Sequence, residues 1–72
     1  MHHKPATPRP PEAVSSYALA MRIRAHHEIY SVDEVADSED EVHTYIRECY
    51  SVLVSRHSID KADRMVNVHP MA

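Results

Sequence analysis

The sequence predicts an all-α fold, a small domain of three to four helices that follows a proline-rich arm. Apolar residues in the segment 38–55 recur at spacings of three and four, which places them on one face of a helix. Ser31, Ser38 and Ser58 each precede a segment of helical character, and serine is a favoured N-cap residue. The chain contains no glycine, which weighs against tight β-hairpins and against the phosphate-binding loops of nucleotide-binding enzymes.

Length and cysteine content limit the fold further. A chain of 72 residues allows one domain, which buries only roughly 60% of its unfolded surface, so we expect marginal stability. Cys49 is the only cysteine, so no disulfide can form within the chain, and we expect a reducing compartment. No apolar run approaches the roughly 20 residues of a membrane span. The N-terminal segment also lacks the apolar region of a signal peptide.

The N-terminal part divides into an arm and a first helix. Residues 1–11 contain four prolines, which disfavour helix, so we expect a disordered arm. Residues 12–29 favour a helix, although apolar residues also alternate over 17–23 in a strand-like manner. One face of this helix carries Val14, Tyr17, Ala18, Met21, Ala25 and Ile29. Leu19 and Ile23 lie on the other side, where they are covered within a helical bundle or face a partner.

The remaining elements are three helices. Residues 31–36 form a short helix in which Ser31 and Glu34 make a capping box, followed by a tight corner. Ser38 and Glu41 form a second capping box at the start of the central helix 38–55. The apolar stripe of that helix is Val42, Tyr45, Ile46, Cys49, Val52 and Leu53. A final short helix follows Ser58, with Ile59, Ala62, Met65 and Val66 facing inward. The predicted domain is therefore 12–67, with a tail at 68–72.

The charge is unevenly distributed along the chain. Residues 1–27 carry four basic residues against one acidic, residues 28–48 carry eight acidic against one basic, and residues 49–72 carry three basic against two acidic. Six acids crowd around two adjacent helix starts, namely Asp33, Glu34, Asp37, Glu39, Asp40 and Glu41. They complement the helix dipoles and aid solubility, or they form a docking surface for a basic partner. These acids, with Leu19, Arg22, Ile23 and Arg24, are the candidate partner-binding residues.

The sequence gives little support for catalysis or metal binding. Cys49 lies on the apolar face of the central helix, where a cysteine is usually an inert small hydrophobe. The carboxylates cluster at helix starts instead of facing each other across a cleft. His26, His27, His43 and His57 lack the spacing of a zinc site. We therefore expect a non-enzymatic protein without a cofactor or metal.

A DNA-binding protein is the alternative. Residues 31–48 outline a helix-turn-helix, although the motif is compressed and lacks the usual turn glycine. The recognition helix of such a motif would begin with Glu39, Asp40 and Glu41, which oppose the phosphate backbone. A modest basic patch could still form from Arg22, Arg24, Arg56, Lys61 and Arg64. We therefore expect no direct DNA binding by the isolated protein, and the helix-turn-helix function remains the second hypothesis.

The N-terminal MHHKPATPRPPEAV and the acidic SVDEVADSEDEVHTYIREC resemble, in length and character, a known group of small proteins. These are the RNA polymerase inhibitors and antiterminators encoded by Xanthomonas bacteriophages. The resemblance implies binding to the N-terminal part of the β′ subunit of the host RNA polymerase, interference with the σ factor, and possible antitermination. It also implies a monomer in the host bacterial cytoplasm, away from membranes. The resemblance includes no diagnostic motif, so it assigns no functional residues.

Overall fold

The computed structural model describes residues 9–67, and this part of the chain is all-α, as predicted. A 3-10 turn at Pro11–Ala13 precedes four α-helices, which are α1 (Ser16–His27), α2 (Val32–Ala36), α3 (Glu41–Arg56) and α4 (Ile59–Val66). Most of the predicted arm and the tail at 68–72 lie outside the described residues. Within 9–67, no helix is both long enough and apolar enough to cross a membrane.

The long helix α3 is the centre of the fold. The 3-10 turn and the other three helices all pack against it, and α4 also contacts α1. The most deeply buried large side chains are Leu19, Ile23, Cys49 and Leu53, from α1 and α3. The rest of the core consists of Val14, Ala20, Val35, Ile46 and Ala62. The predicted core position of Cys49 is confirmed.

Helix α3 begins later than the sequence predicts. Its N-cap is Asp40, whose side chain accepts a hydrogen bond from the Val42 backbone N–H at 2.9 Å. Ser38, the predicted cap, instead accepts a hydrogen bond from the Asp40 backbone N–H at 3.0 Å and so shapes the preceding turn. Aspartate and serine cap helices about equally well, so the local sequence offered two starts. By contrast, the capping box predicted at Ser31 and the cap predicted at Ser58 are confirmed.

The predicted helix 12–29 is divided in two. Pro11 opens the 3-10 turn, Val14 is extended, and Ser15 caps α1 by accepting a hydrogen bond from the Ala18 backbone N–H at 3.2 Å. Pro11 is buried, so the folded domain includes the last residue assigned to the arm.

Within α1, the covered apolar side is the one that carries Leu19 and Ile23. Tyr17 and Ile29 are 74% and 75% exposed, whereas Leu19 and Ile23 are 0% and 2% exposed. Both sides of α1 carry apolar residues, so periodicity alone could not select the inner one. Ala20 lies beside Leu19 on the packed side, where its small side chain is compatible with a close approach to the neighbouring helices. Leu19 and Ile23 therefore belong to the core and cannot line a partner surface in this conformation.

Two residues predicted to face inward are exposed. Val42, in the first turn of α3, is 56% exposed, and Ile59, in the first turn of α4, is 61% exposed. Each is the first apolar residue of its helix, so it lies at the edge of the packed region. Within α4, Ala62 is fully buried and Met65 and Val66 are half-buried, as the sequence predicts.

Candidate functional site

The six carboxylates predicted as a docking surface are all exposed, and we call them the acidic surface: Asp33, Glu34, Asp37, Glu39, Asp40 and Glu41. They lie in the first turn of α2, in the corner at 37–40 and in the first turn of α3. Glu34 and Asp40 act as caps, since Glu34 accepts from the Ser31 backbone N–H in the capping box. The other four are free of hydrogen bonds to residues 9–67. The structure therefore brings the acids together at one corner of the domain.

A half-buried arginine holds that corner in place. Arg47 donates from Nη1 to the backbone carbonyls of Val35 at 2.6 Å and Ser38 at 2.7 Å, and from Nη2 to the Thr44 hydroxyl at 3.2 Å. The guanidinium thus joins the end of α2 and the following corner to α3. Since charge-assisted hydrogen bonds are among the stronger ones in proteins, Arg47 fixes the position of the acidic surface.

The two predicted basic residues of α1 lie apart from each other. Residues two positions apart on an α-helix point about 200° apart, so Arg22 and Arg24 cannot act on one face. Arg22 is exposed and donates to the hydroxyl of Tyr45, which in turn donates to the Arg9 carbonyl at 3.0 Å. Arg24 is half-buried, with its Nη1 3.5 Å from the sulfur of Met21. The acidic surface is therefore a better candidate for partner binding than Arg22 and Arg24.

Arg56, one of the residues of the proposed basic patch, is engaged in hydrogen bonds within the fold. Arg56 donates from Nη1 to the Val14 carbonyl at 2.7 Å and from Nη2 to the Glu12 carbonyl at 2.9 Å. These bonds join the end of α3 to the 3-10 turn and the extended Val14. A guanidinium committed to two backbone carbonyls is poorly placed to neutralise a phosphate, which weakens the case for DNA binding.

Burial raises the pKa of the Cys49 thiol, and the neighbouring Tyr45 side chain opposes this with a weaker effect. A thiol with a raised pKa and no solvent exposure is a poor nucleophile, because the thiolate is the reactive form. Among residues 9–67, no group of three or more His, Cys, Asp or Glu side chains is placed to hold a metal ion.

A cavity of about 440 Å³ is lined by residues of all four α-helices. Its lining is mainly apolar, with polar groups from His27, Ser51 and Asn67 and from the three residues Arg47, Tyr50 and Asp63. Arg47 is bonded to the corner, and the Tyr50 hydroxyl donates to the Asp63 carboxylate at 2.6 Å. This hydrogen bond raises the pKa of Tyr50, with smaller contributions from burial and from the Asp63 charge. These three groups are therefore committed to the fold instead of being free to orient a ligand.

One cluster escaped the sequence prediction. His26, in the last turn of α1, and His43, in the first turn of α3, approach each other with a distance of 2.8 Å between Nε2 and Nδ1. Sequence spacing gives no signal for this pair, because the two residues are 17 positions apart and meet only when α1 packs on α3.

The comparisons with known proteins add no relative. The chain matches no protein-family model, no curated protein and no solved structure. Functional inference therefore rests on the surface and contacts of the chain itself.

Proposed function

We propose that this chain is a non-enzymatic transcription regulator that binds host bacterial RNA polymerase through its acidic surface. The observation that carries the proposal is the exposure of six carboxylates within residues 33–41, a stretch without a lysine or arginine. The resemblance to the phage inhibitors suggests the partner, the N-terminal region of the β′ subunit. Binding there would inhibit promoter-dependent initiation by disturbing σ factor function, and would also support antitermination.

Electrostatics explain how such a surface selects its partner. Six exposed carboxylates outnumber the one half-buried guanidinium of Arg47 in this corner. The net negative field accelerates encounter with a basic protein surface and repels acidic ones. RNA polymerase must hold nucleic acid, so it presents basic surfaces of this kind. A small protein that occupies one of them needs no active site to act as an inhibitor.

The structure also explains why the acidic surface can present a fixed pattern of charge. The Ser31–Glu34 capping box defines the start of α2, and Asp40 caps α3. Arg47 connects α2 and the corner to α3 through backbone carbonyls. Carboxylates held on ordered helix starts lose less conformational entropy on binding than those on a mobile loop.

The first experiment removes charge without removing caps. The quadruple variant neutralises the four carboxylates that do not cap a helix, through Asp33→Asn, Asp37→Asn, Glu39→Gln and Glu41→Gln. The capping residues Glu34 and Asp40 remain unchanged. The matched control neutralises four exposed acids elsewhere, namely Glu12→Gln, Glu28→Gln, Glu48→Gln and Asp60→Asn. Both variants change the net charge equally, so a difference between them reports on position.

Binding to purified RNA polymerase is measured by biolayer interferometry at low and high salt. We expect the quadruple variant to associate roughly tenfold more slowly at low salt, with a weaker salt dependence, because electrostatic steering is lost. At about 0.1 M salt, the control should associate within about twofold of the unmodified protein, since the Debye length is then about 10 Å and charges farther from the contact are screened. Equal association rates for both variants would contradict the role of the acidic surface, and no binding of the unmodified protein would contradict the choice of partner.

The alternative is a small helix-turn-helix DNA-binding protein, which the order of α2, the corner and α3 supports. It is opposed by Glu39, Asp40 and Glu41 at the start of α3, where a recognition helix meets phosphates. Salt-dependent binding of the isolated protein to duplex DNA would favour this alternative. Inhibition of promoter-dependent transcription by purified polymerase, without binding to free DNA, would favour the polymerase-binding function.

A further inference from the structure

The contact between His26 and His43 joins two helices through titratable groups. His26 Nε2 and His43 Nδ1 are 2.8 Å apart, which is hydrogen-bond distance. Both side chains are half-buried. A hydrogen bond between two imidazole nitrogens requires one N–H donor and one lone pair. Neutral rings satisfy this requirement, and so does a pair that carries one proton charge.

Tyr30, in the segment between α1 and α2, completes a cluster of three rings. Its ring centroid is 4.7 Å from that of His26 and 4.7 Å from that of His43, and the two imidazole centroids are 4.9 Å apart. Its backbone carbonyl also lies 3.0 Å from Nδ1 of His27. The cluster therefore holds the end of α1, the following turn and the start of α3 together.

We propose that the His26–His43 pair is a proton-sensitive latch that joins α1 to α3 when at most one of the two rings is charged, and opens when both are charged. The second proton converts both facing nitrogens into donors, so the hydrogen bond has no acceptor. It also places two positive charges within the cluster, where they repel each other.

The groups around the latch shift the pKa of His26 in opposite directions. Burial, followed by the charges of His43 and then His27, lowers the pKa of His26, whereas the Asp40 carboxylate at the start of α3 raises it. Tyr30 packs against both rings, with its ring plane at 34° to that of His26 and at 82° to that of His43. The lowering influences prevail for His26, which accords with the loss of the acceptor in the doubly charged pair.

The sign of the pH dependence follows from this direction. A histidine whose pKa is lower in the folded state binds its proton more readily in the unfolded chain. The latch therefore contributes its full stability above the unfolded pKa of about 6.5. That stability is lost as the pH falls through the lower pKa of the folded state.

The experiment follows the histidine ring protons of the full chain by NMR from about pH 8 to about pH 4, a range that spans histidine titration. The test variant is His43→Gln, because glutamine can keep a hydrogen bond to His26 but carries no charge. The control is His57→Gln, at an exposed position beyond α3. We expect a depressed pKa within the pair of the unmodified protein. The pKa of His26 should rise toward about 6.5 in the test variant and stay unchanged in the control.

A stability measurement checks the same linkage by an independent readout. On acidification from about pH 7.5 to about pH 5, the thermal midpoint of the unmodified protein should fall by more than that of the His43→Gln variant. If the pKa of His26 in the folded chain lies near about 6.5, or if His43→Gln leaves the titration of His26 unchanged, the latch is refuted. Neither measurement uses a binding partner, so the result is independent of the proposed polymerase-binding function.

Discussion

Arg47 offers the sharpest test of how the corner beneath the acidic surface is built. Its Nη1 donates to two backbone carbonyls, at 2.6 Å and 2.7 Å, from a half-buried position. In the Arg47→Met variant, the side chain keeps its apolar length but offers no donor to the carbonyls of Val35 and Ser38. Carbonyls that lose their partners in a partly desolvated site destabilise the folded state.

The magnitude follows from the number of hydrogen bonds. A net contribution of about 1 kcal/mol for each of the two carbonyl bonds gives a loss of about 2 kcal/mol in the free energy of unfolding. A domain of this size has a total of about 4–11 kcal/mol, so the loss is a large fraction. The thermal midpoint should fall by about 8–16 °C, since each kcal/mol corresponds to about 4–8 °C in a domain of this length.

The assay is thermal unfolding followed by circular dichroism, with Arg64→Met as the matched control. Arg64 is exposed on α4, and the same substitution there should change the free energy of unfolding by less than about 0.5 kcal/mol. Arg47→Lys separates charge from geometry, because lysine keeps the positive charge but cannot span both carbonyls with a planar group. Equal midpoints for the Arg47→Met and Arg64→Met variants would refute the bracing role. Full recovery in Arg47→Lys would assign the effect to charge alone.

Two further predictions concern α3. Leu53→Ala should lower the free energy of unfolding by about 2–5 kcal/mol, because Leu53 is fully buried. Val42→Ala should change it by less than about 1 kcal/mol, because Val42 is 56% exposed. Urea titrations of both variants measure the difference, and equal losses would contradict the packing. The Cys49 thiol should react with a disulfide reagent at least roughly tenfold more slowly in the native protein than in urea, because burial raises its pKa and shields it. Rapid stoichiometric reaction under native conditions would show that the thiol is accessible.

Local sequence signals predicted the helices well where they were unambiguous. Ser31 with Glu34 and Ser58 before α4 specify helix starts through hydrogen bonds within one turn, so no distant residue is needed. At the start of α3, Ser38 and Asp40 were both competent caps, and the prediction selected the wrong one. The same locality explains why the exposure of the acidic surface was predictable, since charged first-turn residues favour solvent and the helix dipole.

Long-range contacts decided the roles of the arginines and histidines. Arg56 bonds to Val14 over a separation of 42 residues, and His26 meets His43 over 17. Nothing in the local sequence distinguishes Arg47, which braces the corner, from the exposed Arg64. The candidate docking role of Leu19 and Ile23 failed for the same reason, because only the packing of α1 on α3 determines which of two apolar sides is buried.

The sequence by itself determined the all-α class, the order of the helices, the core position of Cys49 and the concentration of acids at two helix starts. These features depend on periodicity, capping and composition, which act over a few residues. The tertiary structure alone decided which side of α1 faces inward, which arginines serve the fold, and that two histidines share a hydrogen bond. Those outcomes depend on the free energy of packing whole helices against α3, and that free energy is a property of their joint surfaces, beyond what any one segment specifies.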